Sequence, residues 1–123
     1  MVKMEERLCR AYDLLRRLGG TANYKGFSYA AYAIALCAER PELLLLVTKD
    51  LYPAVAKQYQ TTWKAVERDI RTLVAMIWAQ NSAMLGRIAG SPLEKRPRSA
   101  KFIASTAADL QCSEMGKFFE HTG

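Results

Sequence analysis

The chain has 123 residues and a formal net charge of +6 at pH 7; half of its residues are hydrophobic and 24% are charged. This composition is typical of one globular domain, here residues 1–123, and excludes an intrinsically disordered chain. The apolar run at residues 43–47, like every other in the chain, is far shorter than the roughly 20 residues that span a bilayer. Because the N-terminus also lacks a signal-peptide core, we expect a cytoplasmic protein without a membrane partner.

Neither metal binding nor disulfide formation is predicted from the cysteines. Cys9, Cys37 and Cys112 are far apart and show neither CxxC nor Cys/His spacing. We therefore expect reduced, mostly buried thiols and no cofactor. The positive charge favours a polyanionic partner such as nucleic acid, although charge alone does not identify one.

Hydrophobic periodicity predicts an all-α chain, a compact bundle of about six helices. Residues 5–18 repeat apolar side chains at three- and four-residue steps, and Gly19 and Gly20 would end this first helix. Residues 28–39 predict a second helix, with Ser28 as a candidate cap. No segment alternates with period two, and no Asn-Gly or Asp-Gly hairpin turn occurs.

Pro41 suits the first turn of a helix, so residues 43–47 predict a short buried helix, with a buried strand as the alternative. Residues 81–88 predict another short helix. The segment GSPLEKRPRS is a loop by its glycine, prolines and serines. A last helix is expected over residues 99–110, with Ser99 as a possible cap. The tail beyond it, which contains the only histidine, His121, is expected to fray.

A helix, a tight turn and a second helix are predicted in the middle of the chain. Pro53 suits the first turn of a short helix over residues 53–59. In the turn that follows, an oxygen of Thr61 or Thr62 can cap the next helix by accepting a backbone N–H bond. The second helix covers residues 63–78. Together these elements predict a helix-turn-helix.

The second of these helices has two different faces. Apolar residues recur at three- and four-residue steps and should pack on the preceding helix; they are Trp63, Val66, Ile70, Leu73 and Ile77. The opposite face contains Lys64, Glu67, Arg68 and Arg71 within the first turns, the part of a recognition helix that meets base edges. Arginine can donate to guanine, glutamate can accept from cytosine, and lysine can contact guanine or phosphate.

Simpler interpretations exist for the same residues. Glu67 and Arg71 could form an i,i+4 salt bridge worth only about 0.2–0.5 kcal/mol on a solvated face. At helical spacing, Trp63 is more typical of core packing than of base stacking. The short preceding helix and the capped turn favour DNA binding over the solvated-face interpretation.

The loop before the last helix and the start of that helix place four positive charges within seven residues, at Lys95, Arg96, Arg98 and Lys101. They could form a phosphate clamp beside a duplex, or they could be an ordinary solvated loop.

Several segments together resemble the C-terminal DNA-binding domain of the sporulation master regulator, stage zero sporulation protein A of endospore-forming bacteria. They are KGFSY at residues 25–29, TKDLYPAVAKQY at 48–59, TT-x-x-x-VER-x-IR at 61–71 and KFIA at 101–104. The similarity covers roughly four-fifths of the chain. It implies a domain of about six helices that binds short operator boxes in double-stranded DNA, often as tandem copies, and contacts RNA polymerase.

The resemblance also implies residue roles. The VER segment makes the base contacts in this family, so Glu67 and Arg68 are candidate base readers, with Lys64 beside them. The candidate backbone contacts are Lys57, Thr61, Thr62, Arg71, Lys95, Arg96, Arg98 and Lys101. Ala65 stands where the family has an arginine. Because successive helical residues point about 100° apart, Lys64 does not replace that arginine, and a different operator is expected.

The family normally joins this domain to a phosphorylated receiver domain, for which 123 residues leave no room. The chain is either an excised effector domain or a stand-alone relative. An RNA- or protein-binding basic module is the alternative function, but no RNP motif or GXXG clamp is present. An enzyme is not expected, because no nucleophile-base set, phosphate loop or metal quartet can be assembled.

Overall fold

The computed structural model describes residues 3–22 and 24–122, with side chains described up to residue 112. Over these ranges the structure is all helical and contains no β-strand. The α-helices are α1 (Met4–Arg17), α2 (Lys25–Glu39), α3 (Tyr52–Gln58), α4 (Trp63–Ala89) and α5 (Ser99–Thr122); a 3-10 helix (Pro41–Leu46) and a π-helix (Val47–Leu51) link α2 to α3. The predicted all-α class and compact bundle are confirmed.

The central element is α2, which packs against α1, α3, α4 and α5. It begins at Lys25, about one turn before the predicted start, so Ser28 lies inside the helix and does not cap it. Close packing depends on Gly26, because a Cβ there would collide with the backbone carbonyl of Asp69 in α4. The α2 helix therefore fixes the position of the first half of α4.

The described residues form five α-helices rather than about six. The short helix predicted for residues 81–88 is the last part of α4, set off from residues 63–80 by a kink at the non-helical backbone of Asn81 (φ −141°, ψ 46°). The Asn81 side chain donates to the carbonyl of Leu18 at 2.7 Å, which ties the break to the end of α1. The last helix begins with Ser99 as its first residue and continues to Thr122, beyond the predicted end. The side chain of His121 lies outside the described residues.

Residues 43–47 do not form one short buried helix. The 3-10 helix and the π-helix divide the segment, and while Leu43 is buried, Leu45 and Leu46 are 82% and 52% exposed. An unbroken apolar run has no periodicity, so its sequence does not reveal which leucines face the core.

All three cysteines are free thiols, but the prediction that most of them are buried was wrong. Cys37 is buried in α2, whereas Cys9 and Cys112 are exposed. Burial, and to a smaller extent the nearby Glu42 carboxylate, raises the pKa of Cys37 to about 12.

Across the described ranges, none of the helices combines the length and apolarity needed to cross a membrane.

Candidate nucleic-acid interface

The first half of α4 has one face in the core and one in solvent. Its core side is completely covered, because Val66, Ile70, Leu73 and Ile77 have no exposed surface. Trp63 is only partly buried and packs at the edge of the core; the Lys64 ammonium lies 5.8 Å from the centre of its ring. The opposite face contains the predicted polar group: Lys64, Arg68 and Arg71 are exposed, and Glu67 is half-buried.

The turn before α4 is defined by backbone geometry. Gln60 adopts a left-handed conformation with φ 54°, and its N–H donates to the Lys57 carbonyl at 3.4 Å. The next N–H, that of Thr61, donates to the Ala56 carbonyl at 2.9 Å. This pair of bonds is the Schellman ending of a helix, which satisfies the last carbonyls of α3.

A side-chain cap begins α4. The hydroxyl of Thr62 accepts a hydrogen bond from the backbone N–H of Ala65 at 3.2 Å. This bond satisfies one of the four N–H groups that a helix start leaves unpaired. The cap predicted at Thr61 or Thr62 is therefore at Thr62, and it sets where the charged face of α4 begins.

Two ion pairs orient the charged face. Nη1 of Arg71 lies 3.4 Å from Oε1 of Glu67, one helical turn away. Nε of Arg68 lies 3.2 Å from Oδ1 of Asp69. Pairs as exposed as these contribute little to stability. Their effect here is to restrict where the long side chains point.

A cleft of about 490 Å³ brings α4 together with the loop before α5. It is lined by Glu67 and Arg71 from α4 and by Arg96 and Arg98 from the loop. With three arginines and one glutamate, this lining is attractive to anions. Tyr52 forms part of the wall; its pKa is raised mainly by burial, and further by Glu67, so the phenol stays neutral.

The four loop cations are all exposed. A second groove, of about 430 Å³, is lined by Lys95 and Lys101 as well as by Arg96 and Arg98. The two arginines thus border both depressions. Through them the cleft that Arg71 lines on α4 adjoins a groove whose charged lining is basic except for Glu94.

One family model matches the chain: the C-terminal domain of the sporulation initiation factor Spo0A, over residues 11–110. The matched range includes the whole charged face of α4 and the loop cations. The chain belongs to this family.

The Spo0A C-terminal family is a DNA-binding effector domain of a sporulation regulator, and it is not a family of enzymes. The predicted resemblance to it is therefore confirmed.

Among the residues the structure describes, there is no cluster of three or more His, Cys, Asp or Glu side chains that could hold a metal ion.

The remaining predicted site residues lie around the same turn. Lys57 is exposed in the last turn of α3 and does not line the cleft with Arg71. Thr61 is half-buried and acts through its backbone, whereas Thr62 is exposed.

Sequence reasoning missed the half-buried Asp69 and the buried Tyr52. Residues adjacent on a helix point about 100° apart, so nothing in the sequence indicates that Asp69 contacts Arg68. Tyr52 precedes Pro53 in an apolar stretch and carries no pattern that distinguishes a cleft wall from the core.

Proposed function

We propose that this chain is a sequence-specific DNA-binding transcription regulator of the sporulation-initiation effector type. In this proposal α3, the turn and α4 act as a helix-turn-helix, and residues 63–78 enter the major groove. The observation that carries the proposal is the charged face of α4, which starts at a capped turn and lies above a fully buried apolar face. A major groove about 12 Å wide accommodates such a helix.

The base readers are Lys64, Glu67 and Arg68. Arg68 supplies paired donors for guanine O6 and N7, and Glu67 accepts from cytosine N4. Lys64 is a mobile cation that reaches guanine or phosphate. Arg71 is engaged with Glu67 at 3.4 Å and lines the cleft, so we assign it to the DNA backbone.

Phosphate binding is proposed for the basic surface next to α4. Arg71, Arg96 and Arg98 share one cleft, and Lys95 and Lys101 extend the surface along the neighbouring groove. Contacts of this kind position a protein on DNA without reading its sequence. Lys57, Thr61 and Thr62 are proposed to contact the backbone from the turn side.

The wider context is proposed from family membership. We propose that residues 1–123 act as a single DNA-binding domain in the cytoplasm, that two copies bind adjacent boxes, and that the bound protein contacts RNA polymerase. Because Ala65 removes one arginine of the family pattern, the operator is expected to differ from the usual one at one position.

Selection of bound duplexes from a random pool tests the proposal directly. We expect enrichment of a short motif, and a salt titration on the winning duplex should give a slope of about −0.9 for each phosphate contacted. A pool without enrichment would contradict the proposed function. Tighter binding to structured RNA than to any duplex would favour a basic RNA-binding module instead.

A further inference from the structure

Asp69 contacts the proposed guanine reader while being largely shielded from solvent itself. Its Oδ1 accepts a hydrogen bond from Nε of Arg68 at 3.2 Å. The side chain of Asp69 is 19% exposed and that of Arg68 is 65% exposed. The Asp69 backbone is also fixed, because its carbonyl packs so closely on Gly26 that no Cβ would fit there. Asp69, whose backbone is fixed against α2, thus restrains the side chain of Arg68, which extends into solvent.

We propose that Asp69 is a positioning residue that sets base specificity through Arg68. This inference rests on the proposed function, in which Arg68 reads guanine. The guanidinium has five N–H donors, and the bond to Asp69 uses only the one on Nε. Both Nη groups remain available, and a bidentate contact with guanine needs two parallel donors.

The physical benefit of this arrangement is a smaller ordering cost when DNA binds. A free arginine samples many rotamers and loses that freedom on forming a directional contact. The bond to Asp69 restricts Arg68 before binding, so less entropy is lost with the matching base. A misaligned arginine, in contrast, would still attract phosphates and bind DNA of any sequence.

The negative charge of Asp69 has a second effect, which lowers the affinity for DNA of any sequence. Its carboxylate lies beside a surface that would face DNA phosphates, so its removal reduces repulsion for every sequence alike. Loss of Asp69 should therefore weaken discrimination between bases without weakening binding to random DNA. A residue that only supports the fold would lower both.

The test compares Asp69→Ala with the unmodified protein on three duplexes: the selected site, the same site changed at the base pair that Arg68→Ala identifies, and random DNA. We expect the ratio between the first two affinities to fall about 2- to 10-fold, the size expected for ordering one long side chain. Affinity for random DNA should stay equal or rise. Asp69→Asn, which keeps an acceptor oxygen, should retain part of the discrimination.

Two controls isolate the contact. In an Arg68→Ala background, Asp69→Ala should not change discrimination further, because the group it positions is gone. Asp13→Ala removes an equal charge from the pair that Asp13 forms with Arg17 on α1, at 3.5 Å, and should leave discrimination unchanged.

Each other outcome has a definite meaning. Unchanged discrimination in both Asp69 variants, with Arg68→Ala still losing one base position, overturns this inference and leaves the proposed function intact. An equal loss on all three duplexes together with a lower melting temperature overturns it as well, since that is the result of a purely structural role. An unmodified protein with no preferred duplex overturns the proposed function, and this inference with it.

Discussion

Two arginines of this molecule each pair through Nε with an aspartate on the same helix, and only one of them belongs to the proposed interface. Arg17 on α1 places Nε 3.5 Å from Asp13, with its side chain 59% exposed. Arg68 on α4 places Nε 3.2 Å from Asp69, with its side chain 65% exposed. The two arginines match in charge, in contacting atom and in exposure, but their partners differ, because Asp13 is 67% exposed and Asp69 only 19%. The distinction therefore comes from the partner and from what surrounds each pair.

The two helices differ in how many carboxylates lie beside their arginines: two line the cleft at α1 and one lines the cleft at α4. The cleft beside Arg17 is lined by three arginines, Arg10, Arg16 and Arg17, and by two carboxylates, Asp13 and Asp109. Elsewhere on α1, Arg7 pairs with Glu39 at 3.6 Å and Arg16 lies 6.0 Å from the ring centres of Tyr12 and Phe27. The cations of α1 are thus mostly used within the protein. On α4, in contrast, the helix begins at a capped turn and Arg71 shares a cleft with Arg96 and Arg98. The proposed interface therefore rests on the arrangement of the cations and not on their number.

Thiol labelling provides the largest expected effect and tests whether α1 is outside the interface. A pKa raised from 9.0 to about 12 lowers the thiolate fraction of Cys37 about a thousandfold at pH 8. We expect an aromatic disulfide reagent to modify the exposed Cys9 and Cys112 rapidly, and Cys37 only after unfolding in denaturant.

Labelled protein then tests the comparison itself. In a Cys112→Ser variant the reagent modifies only Cys9, on the solvent side of α1. DNA affinity should be unchanged by this bulky group, since α1 lies outside the proposed interface. A marked loss of affinity after modification would place α1 at the interface and remove the contrast with α4.

Replacing the two matched arginines is the second test. Arg68→Ala should cost about 1–3 kcal/mol on the preferred site and relax one base position. Arg17→Ala removes an arginine from a pair of the same kind and should leave both affinity and specificity unchanged. Competition binding on the selected duplex and its single-base variants measures both. Equal losses for the two variants would mean that Arg68 acts only through its charge.

The helical class and the two-faced character of α4 could be predicted because they depend on local periodicity. Apolar steps from Val66 to Ile77 decide which side faces the core, and Thr62 has the chemistry of a cap. The start of α4 followed from the same signals. These features need no knowledge of which other helix lies opposite.

Features that depend on tertiary contact could not be predicted. The carbonyl of Leu18 accepts a hydrogen bond from Asn81 at the break in α4, so the position of that break depends on residues 63 positions apart. The cleft brings Arg71 and Arg98 together because α4 packs against α5. The exposure of Leu45 also depends on tertiary contacts, because an unbroken apolar run does not indicate which of its side chains will be covered by another helix.

Removal of the cap on α4 is expected to have a moderate effect. Thr62→Ala loses the bond to the Ala65 N–H and should lower the free energy of unfolding by about 1 kcal/mol. Thr72→Ala is a matched control in the middle of the same helix, where the exposed hydroxyl only donates to the Arg68 carbonyl; a change within about 0.5 kcal/mol is expected. Chemical denaturation measures both. Equal losses of unfolding free energy in the two variants would show that the Thr62 cap does not stabilise the start of α4.

The smallest expected effect distinguishes phosphate binding from base reading within the basic surface. Arg98 lines the cleft with Arg71, and Arg98→Ala should reduce the magnitude of the salt slope by about 0.9, as expected for one lost phosphate contact. Affinity should fall by a similar factor for every duplex, because phosphates are the same in all sequences. If the slope is unchanged, or if only binding to the preferred site is weakened, Arg98 does not contact the DNA backbone. The cleft would then not belong to the same DNA-binding surface as the charged face of α4.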